Sequence, residues 1–205
     1  MIESNAMTAK RIARMLALLL AAAQLAAGCA PSSPSLNGSP YASPAPAPAL
    51  DLIDTSGLRF DLAALNGHIA LVHFAYTQCP DECPLTLANS RWAVDQLGNE
   101  GKRLDLVLVT VDPANDTPDV LRAVLDRFNL RFIGLTGSDL QLARARLAYG
   151  VLAATPEPGH EHTDVIHGTR VYLIAPDGKL ATSYDLSISK ETILEDVRSL
   201  LETSP

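Results

Sequence analysis

Two apolar runs constrain the fold more than anything else in the chain: 69–76 (IALVHFAY) and 104–111 (LDLVLVTV). A strand with one wet face alternates apolar and polar residues. These runs do not, so both read as strands buried on both faces, which a parallel sheet covered by helices on each side provides. Helical patterns follow each run. Residues 85–97 carry apolar side chains at 85, 88, 92, 93 and 97 and stop at Gly98, which places Leu85, Ala88 and Trp92 toward the core. Thr117–Pro118 supplies an N-cap and a first-turn proline for a helix over 119–128. A short strand over 132–135, a helix from Ser138 to about 149, and strands over 165–174 and 179–184 complete the middle of the chain. Pro176–Asp177–Gly178 between those last two strands is a hairpin turn, and Ser189 opens a final helix to 201. Upstream, 50–62 reads as a pair of short strands around Ser56–Gly57.

This order predicts an α/β domain of three layers, a central mixed sheet flanked by helices, with an N-terminal strand pair and a late β-hairpin. It is the thioredoxin-like arrangement, and it occupies 50–205. Residues 1–28 have another character. Lys10, Arg11 and Arg14 precede the apolar run 15–27, and small residues lead into Cys29, the pattern of an export signal. The run is short for a membrane span, which needs ~20 apolar residues. LAAGC resembles a bacterial lipobox, with cleavage before Cys29 and lipid on its thiol. Residues 29–49 hold six prolines after Cys29, among Ser, Ala and Gly, and read as an extended tether. The expected location is a bacterial membrane surface, with the domain in the periplasm or extracytoplasmic space. Removing residues 1–28 shifts the formal charge from −7 to −9. An acidic body argues against nucleic acid as a partner, because that binding rests on neutralising phosphates. Nothing in the pattern calls for an obligate oligomer.

Besides Cys29 the chain has two cysteines, Cys79 and Cys83, placed just after the first long strand. At i and i+4 they share a helix face. Pro80 and Pro84 suit a turn entering a helix, and a helix N-terminus favours thiolate over thiol. Outside the cytosol a disulfide can persist, so the pair reads as a structural bridge, a redox dithiol or a soft-metal site. A bridge closing so short a loop removes little unfolded-state entropy, which weighs against the first.

Four ordered blocks now carry a resemblance. FAYTQCPDECPLTL (74–87), VTVDPANDTPDVL (109–121), FIGLTG (132–137) and HGTRVYLIAPDGKL (167–180) resemble the Sco/SenC family of copper proteins across nearly all of 50–205. Asn115 stands where that family usually has Arg, and Ile166 and Gly168 flank His167 where it has an acid and Ser. The resemblance implies a metallochaperone that binds one copper, as Cu(I) or Cu(II), through Cys79, Cys83 and His167. It further implies an unidentified copper donor and, as acceptor, the binuclear copper centre of cytochrome c oxidase subunit II or a similar exported copper enzyme. Two thiolates and an imidazole form a set that suits such chemistry.

The alternative is a thiol–disulfide oxidoreductase in which Cys79 and Cys83 are the catalytic pair and reduce the acceptor's cysteines. Thioredoxin-type enzymes carry a proline facing the cysteines before a late strand, whereas 164–170 offers His167 and no proline. His160 and His162, in a Pro/Gly-flanked loop, read as solvated or as a weak accessory metal site. His73 reads as structural and His68 as a turn residue; Asp112 and Asp116 read as turn and capping residues first, with a place near the copper, where they would tune it, as the other reading that the resemblance leaves open.

Overall fold

In the computed structural model, residues 34–41, 45–80, 82–129, 131–151 and 170–203 are described. Their sheet has seven strands: β1 (Ser39–Pro40), β2 (Ile53–Asp54), β3 (Ile69–Ala75), β4 (Leu104–Thr110), β5 (Ile133–Thr136), β6 (Arg170–Ile174) and β7 (Leu180–Asp185). Across the sheet they lie in the order β1-β7-β6-β3-β4-β5-β2. β3, β4 and β5 are parallel, and β6, β7, β1 and β2 join antiparallel, so the sheet is mixed as expected.

The two apolar runs supply the central strands, and every residue of β3 and β4 is buried. Their alternate residues feed two cores. Ile69, Leu71, Leu106 and Leu108 face helices α1 (Glu82–Leu97), α2 (Pro118–Leu125) and α4 (Lys190–Thr203). Ala70, Val72, Phe74, Val107 and Val109 face α3 (Asp139–Ala148) and the Tyr149–Tyr172 pair behind it. This is the three-layer, thioredoxin-like architecture. The local start signals hold: Thr117 accepts from the Val120 amide with Pro118 behind it, and Ser138 forms a reciprocal capping box with Gln141. The β6–β7 hairpin turns on Gly178 at φ 77, a backbone angle that glycine adopts without strain.

Three expectations are corrected. The strand pair over 50–62 reduces to β2 and a single bridge from Ile53 to Arg59. Asp54 draws the chain into a tight turn by accepting from the Ser56 and Leu58 amides, which leaves no length for a second strand. Leu85 is 55% exposed and Ala88 is also outside; the inward face of α1 is Cys83, Leu87, Ser90 and Ala93. The 29–49 stretch is, in its described part, no free tether, and the compact unit begins at Pro34. Leu36 packs on the core, β1 pairs with β7, and Pro46 bridges Lys179. Asp196, 1% exposed on α4, holds this strap by accepting from the Asn37 amide at 2.9 Å, the Asn37 side chain at 2.8 Å and the Tyr184 hydroxyl at 2.7 Å. A Cβ on Gly38 would collide with Thr182, Tyr184 and the Ser183 carbonyl, so only glycine lets the strap lie this close.

Candidate metal centre

β3 and β4 run in register from Ile69–Leu104 to Ala75–Thr110, so their C-terminal ends stop side by side. Two connections leave from this edge. The β3 exit, Tyr76–Thr77–Gln78, delivers Cys79, and the β4 exit, 111–117, leads through Asp112 and Asp116 into α2. The Cys79 amide donates to the Tyr76 carbonyl at 3.3 Å, closing a turn. α1 begins at Glu82, so Cys83 is in its first turn, and Pro84 sits where no intrahelical donor is lost.

Cys79 and Cys83 are 5% and 3% exposed and are not bridged to each other. The Cys83 amide, one of the helix's unpaired N-terminal donors, points at the Cys79 sulfur at 3.4 Å. Burial pushes the Cys83 thiol well above the ordinary range, and its hydrogen bond to Cys79 pushes it the same way. This departs from the expectation that the helix terminus favours thiolate: at Cys83 desolvation outweighs the dipole. Cys83 is therefore held as the thiol. A metal that binds both sulfurs has to displace that proton.

The turn before Cys79 is held from the other connection. Asp116, fully buried, accepts from the Thr77 amide at 3.1 Å, from the Thr77 hydroxyl, and from the Thr110 hydroxyl at 2.6 Å. Burial raises its carboxyl, and these donors oppose the shift. The turn-and-cap reading of Asp116 misses this bond across the loop. The helix cap is Thr117 instead, while Asp112 stays in its own turn and accepts from the Asn115 side chain at 2.8 Å.

Of the predicted ligands, the structure brings Cys79 and Cys83 together. His167, with His160, His162 and the lipidation candidate Cys29, lies outside the described residues. Among the described residues no group of three His, Cys, Asp or Glu side chains is arranged to hold a metal. The described chain resumes at Arg170, at the start of β6. Val171 pairs with His73, so Arg170 stands at the end of β3 that leads to Cys79. His73 is fully buried and donates from Nδ1 to the Arg170 carbonyl at 3.3 Å, tying the two strands there. His68 is not a mere turn residue: its Nδ1 lies 2.6 Å from Asp105 at the opposite end of the sheet.

The SCO1/SenC family model matches residues 42–202. A Stutzerimonas stutzeri protein whose name refers to copper binding is 38% identical over 134 residues, 65% of this chain and 66%, just under two thirds, of that one. Among solved structures, copper-bound ScoI of Bradyrhizobium japonicum superposes with a TM-score of 0.67 at 28% identity, over 77% of this chain and all of that one. Copper-bound yeast Sco1 superposes with a TM-score of 0.68 at 28% identity, over 83% of this chain and 90% of the other. With the family model matched over 42–202 and the fold shared with these solved structures, the chain belongs to the SCO1/SenC family.

Proposed function

We propose that this protein carries copper outside the cytosol and hands it to an acceptor, with Cys79, Cys83 and His167 as ligands. The observation that carries the reading is the unbridged cysteine pair, buried at the start of α1 in a chain of this family. Two sulfurs shielded from bulk water can hold a soft ion until a docked partner supplies competing ligands. The β3–β6 register supports the third ligand. His167 is three residues upstream of Arg170, a distance of at most about 10 Å along the chain, and Arg170 is at the cysteine end of the sheet. An incoming thiolate or imidazole displaces the ligands one at a time, so copper passes without becoming free. The acceptor we assign is the binuclear copper centre of cytochrome c oxidase subunit II or a similar exported copper enzyme. Residues 1–28 act as an export signal, and Cys29 carries the lipid that keeps the protein at the membrane.

Anaerobic titration of the reduced full-length protein tests this. One equivalent of Cu(I) should bind, Cys79→Ser or Cys83→Ser should abolish tight binding with the fold retained, and His167→Ala should weaken Cu(II) more than Cu(I), since two thiolates satisfy linear Cu(I). Absence of a one-equivalent complex removes the carrier reading. The same dithiol can give two electrons and two protons to an acceptor disulfide and close its own. Insulin reduction at thioredoxin-like rates would promote that second reading, favoured by the amide already directed at the Cys79 sulfur.

A further inference from the structure

Asp116 does more than its place in a turn requires. Its backbone amide closes the 112–116 turn on the Asp112 carbonyl at 2.9 Å, and Thr117 caps α2. Neither task uses the carboxylate. Both of its oxygens are directed across the edge of the sheet, to a residue 39 positions earlier in the chain. Thr77 gives it two donors, amide and hydroxyl, so that residue is fixed at both backbone and side chain. Thr110, the last residue of β4, holds the same carboxylate from the other side at 2.6 Å and accepts from the Asp112 amide at 2.9 Å. Two residues beyond Thr77 comes Cys79, whose sulfur meets the Cys83 amide at 3.4 Å. The direction in which Cys79 presents its sulfur is thus set by a turn suspended from a buried carboxylate on the neighbouring strand's exit. Leaving an acid in such a place is costly unless it is fully hydrogen-bonded, and every bond its carboxylate makes among the described residues is to a neutral donor.

We propose that Asp116 is a positioning residue for the cysteine pair, acting through Thr77 to fix the Cys79 sulfur against the start of α1. The proposal rests on the reading of Cys79 and Cys83 as the working sulfurs, and it extends that site to a residue that touches neither of them. Loss of a residue that orients a metal ligand typically lowers metal affinity about 10–100-fold, and the same range is expected here.

The test uses the reduced full-length protein and three variants, Asp116→Asn, Thr77→Val and Thr110→Val, compared well below their unfolding temperatures. Thr77→Val removes one hydroxyl and keeps the amide bond, so it carries the test if Asp116→Asn does not fold. Two readouts are taken. The first is the rate at which iodoacetamide alkylates the cysteines, which needs no copper. The second is Cu(I) affinity in competition with a chelator. Asp116→Asn should change the alkylation rate at least about threefold and lower the affinity about tenfold or more. Thr77→Val and Thr110→Val should each move both in the same direction by less, and a variant combining Asp116→Asn with Thr77→Val should fall short of the sum of those two singles. Lower unfolding temperatures with unchanged alkylation rate and affinity would overturn the proposal, since a purely structural acid gives that result. Should wild type bind no Cu(I), the carrier reading fails while the alkylation series still decides the role of Asp116.

Discussion

A buried carboxylate lies at the start of β4 and another in the turn beyond its end, and the two are satisfied in opposite ways. Asp105, at its start, lies between two basic side chains: Arg131 at 2.9 Å and His68 at 2.6 Å, both on the solvent side. Asp116, six residues past its end, has among the described residues only amide and hydroxyl donors, and it is fully buried. The first is an edge ion pair that can exchange its partners for water. The second is a network with no such escape, and it holds the turn on which Cys79 depends. A cation beside the cysteines would stabilise thiolates without any metal. Neutral donors fix the geometry without adding such a charge.

Replacing each acid in turn breaks the comparison most sharply. Asp116→Ala strands three donors in the interior, at about 1 kcal/mol each, so a loss of roughly 2–4 kcal/mol is expected in a urea unfolding curve. Asp105→Ala should cost less, about 1–2 kcal/mol, because Arg131 and His68 are 42% and 41% exposed and rehydrate. It should leave Cu(I) affinity unchanged; an equal loss of affinity in both variants would erase the distinction between the two ends.

The cysteine end should also show its own pH response. Burial raises the Cys83 thiol above its ordinary 9.0, so the folded state favours the protonated form. That contribution is complete below the unfolded value and is lost as pH rises beyond it. By pH 10 the Cys83 share of the apo protein's loss should be about 1.4 kcal/mol, on top of a smaller loss from the buried hydroxyls of Tyr149, Tyr172 and Tyr184, and only the Cys83 share should be missing in Cys83→Ala. Copper should suppress it, because the proton has already left. The smallest effect belongs to Leu85, on the outer face of the same helix: Leu85→Ser should change stability by less than about 0.5 kcal/mol, where a core leucine would cost several times more.

What could be read from the sequence was local or periodic. The doubly buried strands declared themselves as unbroken runs, and Thr117, Ser138 and Pro176–Asp177–Gly178 act through neighbours within three or four residues. The cysteine pair was legible for the same reason. The inward face of α1 was not: Ser90, a polar residue 5% exposed, faces the core while Leu85 faces water, so hydropathy assigned the helix a wrong rotation. Asp116 and Asp196 were beyond reach in a different way. Each binds backbone far away in sequence, 39 positions in one case and 159 in the other, and an isolated Asp in a turn or on a helix gives no sign of that.

The strap held by Asp196 decides where the upstream chain is fastened to the domain. Asn37 is tied at both backbone and side chain, so a pull from upstream meets the body at the β1–β7 edge rather than at Leu50. Thirteen residues separate those two points, a span of about 40 Å at ~3.1 Å apiece when extended. For the lipid-held carrier proposed above, that length is withheld from its reach, and cutting the Asp196 bonds would return it without altering Cys79 or Cys83.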